Sequence, residues 1–308
     1  MKRQRNRLHI RYMRVAAALV VLAVLVTGGV MLMNSHSKEA GSHRSDSGTV
    51  SSFDPSDVSV VFEEPKEQLG ALGELKDKVS EKLSGYPGEW SAYVKNLDTG
   101  DWFSINDRQI YPASMIKLFA LGACYQQIED GLINESDYYT YIYSMAVMSN
   151  NKAFNHMIWT IGRDYLTKWC HENGYTKTSQ YHGLSPADNA DGLETSDKPN
   201  ETCASDVGHM LESIYRGKCV SKQASEKMLD LLKQQHWRGK IPSGVPYGVE
   251  VANKTGDTED YSHDAAIVYS EGADYILVIM SENPKVSFQQ DYRFVEISSL
   301  VYNYFNKT

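Results

Sequence analysis

The segment from Ser114 to about Ile128 is apolar on most sides. Ile116, Leu118, Phe119, Ala120, Leu121 and Ala123 crowd its first turns, and Lys117 is its one charge. A helix that is hydrophobic all round is stable only when other elements enclose it. The chain must therefore build a domain around a buried central helix. Its 308 residues, 42% of them hydrophobic, suffice for one large domain or two small ones with a sizeable core. The formal charge of −8 argues against a nucleic-acid partner, because the average surface repels phosphate.

Around that helix the periodicities alternate. Leu69 to Leu83 carries Leu72, Leu75, Val79 and Leu83 on one face, the pattern of an amphipathic helix. Trp90 to Asn96 and Trp102 to Ile105 flank the turn signal Asp98-Thr99-Gly100 and read as a hairpin. Several helices follow, up to about Gln235. Strands return at Tyr247 to Lys254, Ala265 to Tyr269 and Tyr275 to Ser281, before a last helix from Asp291 to Tyr304. A sheet built from strands at both ends of this region, with the intervening helices as a separate lobe, predicts an α+β domain. Tyr138, Tyr139, Tyr141 and Tyr143 are expected to pack between helices, and His236-Trp237-Arg238 to form a solvent-facing helix end and loop.

The N-terminal part is different in kind. Residues 1–14 form a basic tail with Lys2, Arg3, Arg5, Arg7, Arg11 and Arg14, followed by an uncharged apolar run from Val15 to Met33. That run would reach roughly 28 Å as a helix, enough to cross a bilayer and longer than a signal-peptide core. The charge imbalance across it predicts a cytoplasmic N-terminus and an extracytoplasmic remainder, a single-pass protein of the cell membrane. Residues 34–56, rich in Ser, Gly, His and charge, read as a flexible linker to a domain over 57–308.

Cys124, Cys170, Cys203 and Cys219 have no metal-site spacing, and none of the nine histidines does either, so no metal or other cofactor is expected. Four cysteines allow three pairings. Pairing Cys203 with Cys219 is disfavoured, because the helical periodicity between them would hold their ends more than about 20 Å apart. Mostly buried thiols are expected, with room for one disulfide.

The chemistry concentrates in three short motifs. In Pro112-Ala113-Ser114-Met115-Ile116-Lys117, Ser114 and Lys117 lie one helical turn apart on one face. A serine hydroxyl needs a base to become nucleophilic, and a lysine can serve if burial and a second cation depress its pKa. A lysine in a first turn opposes the helix dipole, so its presence there asks for a reason. Ser149-Asn150-Asn151 follows a short apolar run, and Lys254-Thr255-Gly256 ends the run read as a strand.

Taken in this order, the three motifs resemble the signature of class A β-lactamases and penicillin-binding proteins, and the likeness extends over roughly Val61 to Asn306. The resemblance implies a β-lactamase/transpeptidase-like fold, with a mostly antiparallel five-stranded sheet, flanking helices and a helical lobe. It implies that Ser114 is acylated by a β-lactam or amide carbonyl, with Lys117 as proton acceptor and Ser149 relaying a proton to the leaving nitrogen. Asn151 would hold the substrate amide and Lys117, while Asn150 stands where class A enzymes commonly carry aspartate. Lys254 and Thr255 would attract a substrate carboxylate, and Lys254 would keep Lys117 deprotonated by like-charge repulsion. The backbone N–H groups of Ser114 and Asp257 would form the oxyanion hole, with Gly256 permitting close approach of the strand edge.

Deacylation is where the resemblance thins. The loop over 179–201 lacks the family's Glu-x-x-x-Asn pattern; Glu194 is its candidate base, with Asp188 and Asp191 as weaker ones. No arginine follows Lys-Thr-Gly on the next strand, where many class A enzymes carry one; His263 and Asp264 stand near there instead. The leading expectation is a serine hydrolase opening β-lactam amide bonds, with a monomeric catalytic domain. The alternatives are a D,D-peptidase acting on peptidoglycan stem peptides and a sensor that remains acylated.

Overall fold

The computed structural model describes residues 67–284 and 292–307. The basic tail, the apolar run 15–33, the linker 34–56 and the predicted domain start at 57–66 lie outside the described residues. Among the described residues no helix is long and apolar enough to cross a membrane.

Helix α1 (Gly73–Ser84) precedes strands β1 (Glu89–Asn96) and β2 (Trp102–Ile105). A 3-10 turn, Ala113–Met115, leads into α2 (Ile116–Glu129). Then come α3 (Glu135–Ala146), α4 (Asn151–Ile161), α5 (Tyr165–Glu172), α6 (Ala204–Tyr215) and α7 (Lys222–Lys233). Strands β3 (Glu250–Asp257), β4 (Tyr261–Tyr269) and β5 (Tyr275–Glu282) and helix α8 (Tyr292–Asn306) complete the chain. The five strands form one sheet in the order β2-β1-β5-β4-β3, with every neighbouring pair antiparallel. This is the predicted α+β architecture.

Both faces of the sheet are covered, so its central strands carry no polar alternation. On β5, Ile276, Val278 and Met280 join the core shared with the helical lobe, while Tyr275, Leu277 and Ile279 join the core under α1 and α8. The period of two is still present, but it sorts apolar residues between two cores rather than between core and water. Helix α2 sits inside the lobe, with Ile116 to Tyr125 all buried. Completely burying one such Leu or Phe side chain contributes about 1.5–3 kcal/mol, which explains why this segment tolerates no solvent-facing side along its first turns.

Three expectations need correcting. Strand β3 begins at Glu250 rather than Tyr247, which is fully exposed, and it continues through Lys254, Thr255 and Gly256 to Asp257. The reason is pairing: Lys254 to Asp257 lie opposite Ala265 to Ser262, so β4 also starts earlier, at Tyr261. The expected buried thiols are found, since all four cysteines are free and buried. Burial pushes the thiols of Cys124 and Cys219 up to about 12, and they are inert. Of the four tyrosines on α3, Tyr138 and Tyr143 pack against the core, but Tyr139 and Tyr141 are 47% and 40% exposed, and Tyr141 stacks on His156.

Candidate active site

Ser114 lies in the 3-10 turn that precedes α2, and two features fix that turn. Ala113 has φ 47°, a left-handed conformation that costs a non-glycine residue about 1 kcal/mol or more and needs surrounding support. The support comes from β4. The buried His263 accepts from the Ser281 N–H at Nδ1 (3.2 Å), so its Nε2 carries the proton and donates to the Tyr111 carbonyl at 2.9 Å. Burial also holds this imidazole down to about 4, keeping it neutral. The turn of Ser114 is thereby tied to the sheet.

Lys117, one residue into α2, is 1% exposed. Its Nζ stands 2.8 Å from Ser114 Oγ, 2.5 Å from the Ser149 carbonyl and 2.6 Å from Asn151 Oδ1. Burial, reinforced by the nearby Lys254, holds its pKa well below the usual lysine value. A neutral amine has two N–H donors and one lone pair. In the neutral form the two donors would satisfy the carbonyl of Ser149 and Oδ1 of Asn151 and leave the lone pair to the Ser114 hydroxyl. The lysine that opposes the helix dipole is thus met by three acceptors around its Nζ.

Ser149 joins α3 to α4 with φ 57°, a second strained residue at the same site. Its Oγ lies 2.8 Å from Lys254 Nζ and 3.5 Å from Lys117 Nζ, which makes a continuous chain of polar atoms from Ser114 to Lys254. Lys254 is fully buried on β3 and also donates to the Thr255 carbonyl at 2.7 Å. Burial lowers it to about 7, against the pull of Asp257 and Asp264. Asn150 has a local role: its side chain accepts from Ala153 N at 2.9 Å and caps α4.

A cavity of about 460 Å³ opens above these groups, lined by Ser114, Ser149, Asn151, Trp237, Thr255 and Asp257 among others. Between two of the lining residues, Gly256 packs tightly against the turn of Ser114. A Cβ there would stand 2.8 Å from the Pro112 carbonyl and 3.2 Å from Ser114 N, so the β3 edge nearly touches the backbone of Ser114.

All eight residues proposed for catalysis and substrate binding therefore meet in one place. Glu194 does not join them. It is exposed and outside the cavity lining, as are Asp188, paired to Lys152 at 3.0 Å, and Asp191. The loop instead presents Pro186 to the cavity and the Ser185 carbonyl to Asn151 Nδ2 at 3.2 Å.

Sequence reading missed two participants. Trp237 lines the cavity rather than a solvent-facing loop end. Lys240, wholly buried, forms an ion pair with Asp257 at 2.5 Å. Both lie between a helix and a strand, where no periodicity marks which side chains turn inward.

Comparison with known proteins accords with this geometry. Residues 74–142 and 137–305 match the family described as "Beta-lactamase enzyme family". No curated protein matches the chain. Among solved structures, PBP-A superposes with TM-score 0.68 at 22% identity, over 77% of this chain and 97% of its own. A β-lactamase from Sphaerobacter thermophilus gives TM-score 0.67 at 16% identity, over 75% and 98%. One from Xanthomonas campestris gives 0.66 at 18%, over 75% and 97%. These likenesses establish the fold.

Proposed function

Because the chain belongs to the β-lactamase enzyme family, we propose that it is a serine hydrolase whose Ser114 forms an acyl-enzyme with β-lactams and releases it slowly. The observation that carries this reading is the buried Nζ of Lys117, its pKa lowered by burial and by Lys254, at 2.8 Å from Ser114 Oγ. Lys117 takes the hydroxyl proton as Ser114 attacks the β-lactam carbonyl, and the oxyanion forms beside the backbone N–H groups of Ser114 and Asp257. Ser149, bridging Lys117 and Lys254, delivers a proton to the departing ring nitrogen. A related solved structure is a PBP-A variant described as an acyl-enzyme complex with penicillin G, which supports the same covalent step here.

Slow release follows from what the cavity lacks. Among the described residues the single carboxylate lining it is that of Asp257, which Lys240 already engages. General-base catalysis commonly supplies about 10² to 10⁴ in rate. Without a loop carboxylate, hydrolysis of the acyl-enzyme should be slower by that order. This favours a penicillin-binding behaviour over rapid turnover. The apolar run at 15–33 and its basic flank support a domain held outside a cell membrane, where protease treatment of intact cells should degrade it.

Intact-mass spectrometry of the full chain in detergent, mixed with a penicillin, tests the reading. A stoichiometric adduct on Ser114 that persists for many minutes and is absent in Ser114→Ala is the expected result. No adduct, or one retained in Ser114→Ala, would remove it; fast clearance with hydrolysed drug would remove the slow-release part.

A further inference from the structure

Asp257 follows Lys-Thr-Gly on β3 and puts a negative charge on the wall of the cavity, beside Thr255 and Ser114. Its carboxylate is 16% exposed, and its Oδ1 accepts from Lys240 Nζ at 2.5 Å and from Ser262 Oγ at 3.1 Å. Lys240 itself is completely buried. Its ammonium lies over the Phe294 ring and has one other acceptor, the His263 carbonyl at 3.1 Å. A carboxylate, a lysine and a serine hydroxyl arranged in this way form a built carboxylate site that the protein's own side chain already fills.

We propose that Asp257 occupies the seat of a substrate carboxylate, so that the cavity selects acyl donors whose leaving-group end is uncharged over donors that end in a carboxylate. This rests on the acylation of Ser114 proposed above and specifies what that serine accepts. An anionic group arriving next to Thr255 meets the Asp257 charge directly. The cations within reach are otherwise engaged. Lys254 is buried against Ser149 Oγ and the Thr255 carbonyl, and burial lowers its pKa. Lys152 at the rim pairs with Asp188, and the Arg238 guanidinium donates to the Val251 carbonyl of β3. A neutral amide in the same position would instead donate an N–H to the Asp257 carboxylate, a charge-assisted bond of the stronger kind.

The test compares a penicillin carrying its free carboxylate with the uncharged methyl ester of the same compound, in the full chain in detergent. The rate of the mass increase on Ser114 is read for each. Since both compounds use the same oxyanion hole and the same nucleophile, the ratio of their rates isolates the response to charge. Asp257→Asn should raise the acid-to-ester ratio by about tenfold or more, about 1.4 kcal/mol, because Lys240 becomes available to the incoming carboxylate. Asp257→Asn/Lys240→Met, which leaves no buried charge unpaired, should raise it by a smaller factor, and carries the comparison alone if the single variant does not fold. A ratio within twofold of the unmodified protein in the folded variants overturns the role of Asp257 while leaving Ser114 acylation standing. Absence of any adduct with either compound, in every form, overturns both.

Discussion

Replacing Gly256 by alanine tests how closely the edge of β3 must approach the nucleophile. The added Cβ would lie 2.8 Å from the Pro112 carbonyl oxygen, 3.0 Å from Met115 N and 3.2 Å from Ser114 N. All three are backbone atoms of the turn that carries Ser114, so no side chain can swing aside. Restoring an ordinary contact of about 3.5 Å requires β3 and the turn to separate by roughly 0.7 Å. A misplacement of about 1 Å commonly costs 10²-fold in rate, so acylation should slow by about tenfold. The overpacking itself should cost about 1–3 kcal/mol, which for a domain of this size lowers the melting temperature by about 2–12 °C. The comparison is Gly208→Ala on α6, where a Cβ would stand 2.3 Å from Tyr93 Cδ1, away from the cavity. Both variants should melt lower, but only Gly256→Ala should acylate more slowly per folded molecule in time-resolved mass measurements with a penicillin. Acylation of Gly256→Ala within twofold of the unmodified rate, or an equal slowing in Gly208→Ala, would refute the argument.

Other outcomes follow from the charges. The proposed acylation requires neutral Lys117, whose pKa is depressed by burial and by Lys254; Lys254→Met removes the second cause, so the acid limb of the rate profile should move to higher pH, and a limb that stays or moves down contradicts the coupling. Burial raises the Asp264 carboxyl to about 7 although it accepts from Asn253 Nδ2 and the Ile241 N–H. The folded state therefore binds this proton more tightly than the unfolded chain, and the group's contribution to stability is lost as pH rises from about 4 to about 7. Asp264→Asn lacks that loss, so its melting temperature relative to the unmodified protein should climb between pH 5 and 8; a constant difference would contradict it. Glu194→Gln should leave both formation and decay of the adduct unchanged, and a slower decay would make Glu194 the missing base after all.

The legible parts of this molecule are those in which one local property decides the structure. The all-round apolarity of α2 announced a central buried helix, and the Ser114 to Lys117 spacing placed two side chains on one turn. The hairpin turn at Asp98-Thr99-Gly100 lies between strands whose observed bounds differ by at most one residue from the reading. What stayed hidden depends on contacts between distant segments. Lys240 turns inward onto Asp257 and the His263 carbonyl, and the Trp237 carbonyl accepts from the Asn253 side chain on β3, contacts that no local pattern announces. The polar run Ser262-His263-Asp264 falls just before the predicted strand start at Ala265, because no single residue in it favours a strand. It is a strand because Ser281, Tyr111, Asn253 and Ile241 satisfy its buried groups. The exposed Tyr139 and Tyr141 were misread for the converse reason, since aromatic composition carries no information about which face a helix turns outward.

The strand order has a consequence for biosynthesis. The last strand to leave the ribosome, β5, is the middle one, bonded along its length to both β1 and β4. Until it arrives, the nascent chain holds two half-sheets, each with an open and largely apolar edge that invites pairing with other chains. His263, which steadies the turn before Ser114, also lacks its Ser281 partner at that stage. Covalent capture by an antibiotic should therefore appear only once synthesis has passed β5, and a chain stalled before it should be a substrate for chaperones rather than a partly working enzyme.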